Sequence, residues 1–203
     1  MLVGITGGMG SGKSALAQML VDLGALRVDA DAVAREVAAD AEVAARLLAA
    51  FGGDLRDDAG HIDRRELGRR AFRTAEGSRR LEEIMRPPLA EAIECWLAAA
   101  EGVAAAAIVV FDAPLIFEWG TEGRCDRVVV VDAAEELRIE RVRKRSGMAE
   151  GEIRERMARQ MDPAQKKARA DYVIDNNGDL AALNRQARGL WAELQARGGR
   201  NDE

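Results

Sequence analysis

Residues 7–14 read Gly-Gly-Met-Gly-Ser-Gly-Lys-Ser, with Gly7, Gly12, Lys13 and Ser14 at the spacing G-x4-G-K-S. These residue types at this spacing describe a backbone cradle for phosphate. Glycines let successive N–H groups turn toward an anion without side-chain collision, and a helix that follows adds the positive end of its dipole. Lys13 supplies a mobile charge for the β and γ oxygens of a triphosphate, and the Ser14 hydroxyl is a ligand for Mg²⁺. A glycine turn that served only to start a helix would not require the Lys-Ser pair. The stretch reads as a nucleoside triphosphate site.

Acids that could activate a hydroxyl lie in Asp29-Ala30-Asp31, at the end of an apolar run. Ligands of a parallel sheet sit beyond the carboxyl ends of its strands, which puts these acids beside the phosphate loop if the first two strands are close. One carboxylate there can take the proton of an attacking alcohol or orient a metal through water. Either aspartate also suits the amino-terminal cap of the helix that follows. Asp112, at the end of Val-Val-Phe-Asp, has two readings: a metal-orienting acid or a turn residue at a strand end. His61, the single histidine, lies in a polar loop and makes a poor candidate base. The segment 135–169 is dense in arginine, with Arg138, Arg141 and Arg145 within one helical face. Such a face is either solvated charge or a lid that brings positive charge to a transferred phosphoryl group and excludes water.

The elements that must position these residues alternate along the chain. Leu2–Thr6 suits a buried parallel strand, and Leu16, Met19, Leu20 and Leu23 follow at helical spacing. Further strands are expected at 25–29, 107–114, 126–132 and 171–175, and the alternation with helices argues for an α/β fold with a parallel sheet covered on both faces. Residues 31–101 hold helical patterns and no convincing strand, so they read as a helical insertion. Within it Asp63 with Glu66 three residues on is a capping-box pattern, and Pro87-Pro88 are expected to end one helix near Met85 and start another. The last helix, about 179–197, presents Leu180, Leu183, Leu190, Trp191 and Leu194 as core. The stretch 98–107 reads as a helix end and a connection.

At 203 residues the chain suits one domain with appendages, and 48% hydrophobic with 32% charged residues excludes the composition of a disordered protein. A formal charge of −5 argues against a broad nucleic-acid surface, and 4% aromatic content offers few stacking platforms. No apolar run approaches the ~18 residues of a membrane span and no leader pattern opens the chain. Cys95 and Cys125 lack ligand spacing and read as buried thiols in a reducing compartment. The expectation is a cytoplasmic protein with neither nucleic-acid nor membrane partners. No Asn-Lys-x-Asp segment reads guanine, and no hydrophobic run ends in Asp-Glu, which argues against a switch GTPase and a remodelling ATPase.

Taken together, the stretches GITGGMGSGKS (4–14), VDADAVAREV (28–37), HIDRRELGRRAF (61–72), LEEIMRPPL (81–89), FDAPLIFE (111–118), RVVVVDA (127–133), ERVRKR (140–145), RQM (159–161) and ADYVIDNNG (170–178) resemble the dephospho-CoA kinase family. The resemblance implies a three-layer P-loop kinase fold, with a nucleotide-binding core (about 1–30, 103–134 and 170–203), a helical substrate-binding insertion (31–102) and a helical lid (135–169). It also implies that ATP and Mg²⁺ serve transfer of the γ-phosphate to the ribose 3′-hydroxyl of dephospho-CoA, by a monomer or small homo-oligomer. Carried onto this chain, Gly10, Ser11, Gly12, Lys13, Ser14 and Ala15 hold ATP phosphates, with Arg145 on the lid and Asn176 near the adenine. Asp31 is then the base, Lys13 and Arg141 stabilise the transferred group, and Ser14 and Asp29 serve the metal. Two departures stand out: Arg86-Pro87 replaces a usual His-Pro, and Ala15 replaces a commoner threonine. The same architecture permits a kinase for another acceptor, or a scaffold that holds ATP without transfer.

Overall fold

A computed structural model describes residues 1–104 and 107–198. In chain order the elements are β1 (Leu2–Thr6), α1 (Lys13–Asp22), β2 (Leu26–Asp29), α2 (Ala30–Ala39), α3 (Ala41–Phe51), α4 (Arg64–Ala71), α5 (Ala75–Ala104), β3 (Val109–Asp112), β4 (Arg127–Asp132), α6 (Glu135–Ser146), α7 (Glu150–Ala158), α8 (Pro163–Ala168), β5 (Tyr172–Asp175) and α9 (Leu180–Gly198), with a 3₁₀ turn at Thr121–Arg124. Two compact units result, Met1–Asp29 with Ala99–Glu203, and Ala30–Ala98.

The first unit is built on a parallel sheet of order β2-β3-β1-β4-β5. Position explains composition: β1 lies between β3 and β4, and all five of its residues are buried. The edge strands β2 and β5 instead expose Leu26 and Val173. Leu16, Ala17 and Leu20 of α1 share one apolar cluster with Leu183, Ala187, Leu190 and Leu194 of α9 and with Val3, Ile5, Val110, Val129, Val131 and Ile174 of the strands. Each fully buried leucine in it contributes on the order of 1.5–3 kcal/mol. Leu180, expected in that core, is 69% exposed, because it opens α9 one turn before the helix reaches the sheet-facing stripe. The opposite side of β1 admits no side chain at Gly4, where a Cβ would meet Cys125 Sγ and Ile116 Cδ1. Burial pushes the Cys125 thiol up to about 12, which leaves it unreactive near neutral pH. Cys95 is exposed, contrary to expectation, because it falls on the outer face of α5.

The second unit is helical, and the prolines in it correct a sequence expectation. Pro87 and Pro88 do not divide the run; α5 continues through both. Proline at these positions removes two intrahelical donors and normally breaks a helix. Here the same helix buries Ile84, Leu89, Ile93 and Leu97 along one face, on both sides of the pair, and that packing holds the axis. Asp63 caps α4, accepting from the backbone N–H groups of Arg65 and Glu66 at 2.9 and 3.0 Å. The capping box is only half formed, because the Glu66 carboxylate turns to Arg69 and Arg70 instead.

Arg70 is a hub. Its guanidinium donates to both Asp54 oxygens at 2.8 Å, to Glu66 at 2.6 Å and to the Phe51 carbonyl at 2.8 Å. Hydrogen bonds from Arg70 hold Asp54 at about 2, and those from Arg69 and Arg70 hold Glu66 at about 2. Carboxyls depressed in the fold give stability that is complete above their unfolded range and lost as pH falls through the folded value. An Arg70→Met variant is expected to melt below the parent at neutral pH, the gap closing as pH falls from about 4.5 to about 2. Thermal unfolding across that range checks it; a gap independent of pH would show that packing, not charge, is what Arg70 supplies.

Candidate nucleotide site

The loop between β1 and α1 has the backbone that a phosphate cradle needs. Gly10 and Gly12 adopt φ of 79° and 97°, the left-handed region open to glycine. A Cβ at Gly10 would run into the Arg138 carbonyl, and one at Gly12 into the Asn176 side-chain amide. No side chain among the described residues caps the start of α1. The Ser11 hydroxyl is buried without a hydrogen-bond partner among the described residues. An uncapped helix end beside an orphaned hydroxyl suits a multivalent anion.

Two elements distant in sequence brace this loop. From α6, Arg138 is 6% exposed and donates from Nε to the Met9 carbonyl at 3.0 Å, while its guanidinium lies over Gly8. Desolvation pushes that guanidinium below its ordinary range, opposed by Asp132 and Glu135. From the connection after α7, Gln160 Oε1 accepts the Met9 N–H at 2.8 Å. Asn176, after β5, donates from Nδ2 to the Ser11 carbonyl at 2.7 Å, and its own carbonyl accepts from Arg141 Nη2 at 2.9 Å. Arg141 Nη1 is buried with no partner among the described residues, a second orphaned donor in the same neighbourhood. Arg145, in the last turn of α6, is exposed.

At the carboxyl ends of the strands, charges form a chain. Lys13 Nζ donates to Asp112 Oδ1 at 2.8 Å and lies 3.4 Å from the Ser14 hydroxyl. Asp112, whose side chain is 0% exposed, accepts on Oδ2 from Arg27 Nη2 at 2.5 Å, and the same nitrogen reaches Asp29 at 3.1 Å. The sheet order corrects one premise: β3 separates β1 from β2, so Asp29 adjoins Asp112 rather than the phosphate loop itself. Asp112, at the end of β3, is the acid that joins Lys13 to Arg27 in this network. Asp31 is an exposed residue in the first turn of α2, which starts at Ala30, so it is not the cap of that helix. His61 is exposed and lies 3.8 Å from Asp57. Arg86 pairs with Glu82 at 3.3 Å on the surface of α5.

A buried ion pair holds the segment after β3. Lys166, 1% exposed, donates to the Pro114 carbonyl at 2.9 Å and to Glu118 at 2.8 Å, and Glu118 also accepts the Met161 N–H at 3.0 Å. Thr6 donates to the same Pro114 carbonyl at 3.0 Å. Arg27, Arg138, Gln160, Glu118 and Lys166 were not assigned roles from sequence. Only Arg138 left a usable trace, the helical spacing it shares with Arg141.

The Ser14 hydroxyl and the Asp112 carboxylate, both reached by Lys13 Nζ, and Asp29 beside Asp112 on the next strand are oxygen donors of the hard type that Mg²⁺ takes. The dephospho-CoA kinase family model matches residues 1–182. A dephospho-CoA kinase of Corynebacterium jeikeium is 42% identical over 194 residues, 95% of this chain and 98% of that protein. A solved Thermus thermophilus structure is 34% identical, covers 96% of this chain and 97% of its own, and superposes with a TM-score of 0.74. The dephospho-CoA kinase of Campylobacter jejuni, 20% identical, shares the fold over 95% of this chain and 96% of its own at a TM-score of 0.66.

Proposed function

The chain belongs to the dephospho-CoA kinase family, and on that premise we propose how its residues divide the work of moving the ATP γ-phosphoryl group to the ribose 3′-hydroxyl of dephospho-CoA. That reaction gives coenzyme A and ADP and is the last step of coenzyme A biosynthesis. Gly10–Ala15 hold the phosphate chain through backbone N–H groups and the Ser11 hydroxyl. Lys13 leaves Asp112 to meet the β and γ oxygens. Asp31 takes the proton of the acceptor hydroxyl, and Arg141, with its orphaned Nη1, offsets charge on the transferred group. Arg145 adds charge at the nucleotide from α6, and Asn176 borders the base.

Mg²⁺ would be held by Ser14 with Asp29 and Asp112, neutralising charge between the β- and γ-phosphates. The helical unit is the proposed seat of the acceptor, and the segment 135–169 the lid. We place the enzyme in the cytoplasm, as a monomer or small homo-oligomer whose partner is a small molecule rather than nucleic acid or membrane.

The observation that carries this reading is the set of orphaned donors, Ser11 Oγ and Arg141 Nη1, around a phosphate loop whose lysine is held in reserve by an acid. ADP release from Mg·ATP is expected to depend on dephospho-CoA, with a product heavier by one phosphate in mass spectrometry. Turnover with another hydroxyl acceptor but none with dephospho-CoA would assign a different kinase to the same architecture.

A further inference from the structure

Asp29 and Asp112 are register partners on adjacent parallel strands, so their carboxylates emerge side by side at the sheet's upper edge. Like charges so placed repel. Arg27 sits two residues before Asp29 and therefore on the same face of β2. One of its nitrogens reaches both acids, at 3.1 Å and 2.5 Å. Arg27 thus closes a four-member chain, Lys13–Asp112–Arg27–Asp29, in which each cation is flanked by at least one acid.

We infer that Arg27 is a positioning residue that sets nucleotide affinity by releasing Lys13 from Asp112. Asp112 is fully buried, and a buried carboxylate must keep a paired donor. When Lys13 turns to the phosphates of an incoming nucleotide, Asp112 Oδ1 loses its partner. Arg27 on Oδ2 remains, so the charge stays compensated when the Lys13–Asp112 pair opens. Without Arg27, Lys13 would be the one cation left on this desolvated acid among the described residues. Every bound nucleotide would then have to break that pair. The guanidinium touches neither nucleotide nor acceptor in this account; its influence passes through Asp112 to Lys13.

The inference rests on the nucleotide site proposed above, and the readout is chosen to separate the two. Binding of ADP in excess EDTA, measured by calorimetry, removes both metal and acceptor from the comparison. Arg27→Met is expected to weaken ADP binding at least tenfold, whereas Arg27→Lys, which keeps a cation near Asp112, should retain most of the affinity. In an Asp112→Asn background the Lys13–Asp112 ion pair is gone, and the Arg27→Met penalty should vanish, a non-additivity that marks coupling through Asp112. Thermal unfolding of each variant confirms that the comparison is between folded proteins.

Undiminished ADP affinity in Arg27→Met overturns the inference. So does a penalty of the same size in the Asp112→Asn background, which would mean that the arginine supports the β2 edge by other contacts. Failure of the unaltered chain to bind ADP would overturn the nucleotide-site reading as well. Loss of dephospho-CoA turnover with ADP binding intact would leave this inference standing.

Discussion

An Asp31→Asn variant is expected to lose turnover by about 10²–10⁴-fold while holding ATP as the parent does. The substitution keeps the size and reach of the side chain and removes only its capacity to take a proton. Two further aspartates end strands of the first unit, Asp29 on β2 and Asp112 on β3. Asp29 and Asp112 have oxygens already committed to Arg27, and Asp112 to Lys13 as well. Asp31 is exposed in the first turn of α2, where a carboxylate is favoured by the helix dipole and where a solvent-borne substrate can meet it. Coupled ADP release gives the rate, and calorimetry with a non-hydrolysable ATP analogue gives the affinity. Parental turnover would remove Asp31 from the chemistry. Loss of affinity in step with turnover would make it a support of the nucleotide site rather than the base.

The second large effect is expected at Gly12. A Gly12→Ala variant should lose nucleotide affinity by a factor of about 10² or more, and keep its fold. Two costs combine. At φ 97° an L-residue is strained by roughly 1–3 kcal/mol. The new methyl would also occupy the place of the Asn176 amide, which is buried and donates to the Ser11 carbonyl at 2.7 Å. Moving Asn176 breaks that bond and disturbs the Arg141 contact to its carbonyl, so loop and α6 loosen together. ADP titration with circular dichroism on the same samples tests both halves of the expectation. Parental affinity would show that the loop tolerates a side chain at its tightest point.

Much of this was open to reading because local signals agreed with global structure. The uninterrupted apolar run of β1 marks a central parallel strand, and the Gly12-Lys13-Ser14 sequence follows it where a helix must begin. The two prolines of α5 misled because their local cost is real but was outweighed by Ile84, Leu89, Ile93 and Leu97, whose burial no window around Pro87 reveals. Arg27 was invisible for a related reason: an arginine in a short edge strand resembles any solvated charge until strand order places Asp112 beside it. Gln160 and Lys166 likewise act on partners 151 and 52 residues away. Such contacts leave no periodicity. Arg138 looked like one of several equivalent arginines, and only its burial under the phosphate loop sets it apart from exposed Arg145.

The sheet order also bears on how this protein is made. β3 lies between β1 and β2, yet it begins at Val109, some eighty positions after β2 has ended. During synthesis the loop, its lysine and both early strands leave the ribosome with no neighbour to pair with, until a whole helical unit has followed them out. At about 5–20 residues per second, the wait is of order several seconds. For that interval β1 is an exposed apolar segment beside an unpaired Arg27-Val28-Asp29, and long-range pairings of this kind close slowly. The vulnerable period in the life of this enzyme is therefore co-translational. A ribosome stalled before codon 109 would hold a phosphate loop in sequence but not in shape.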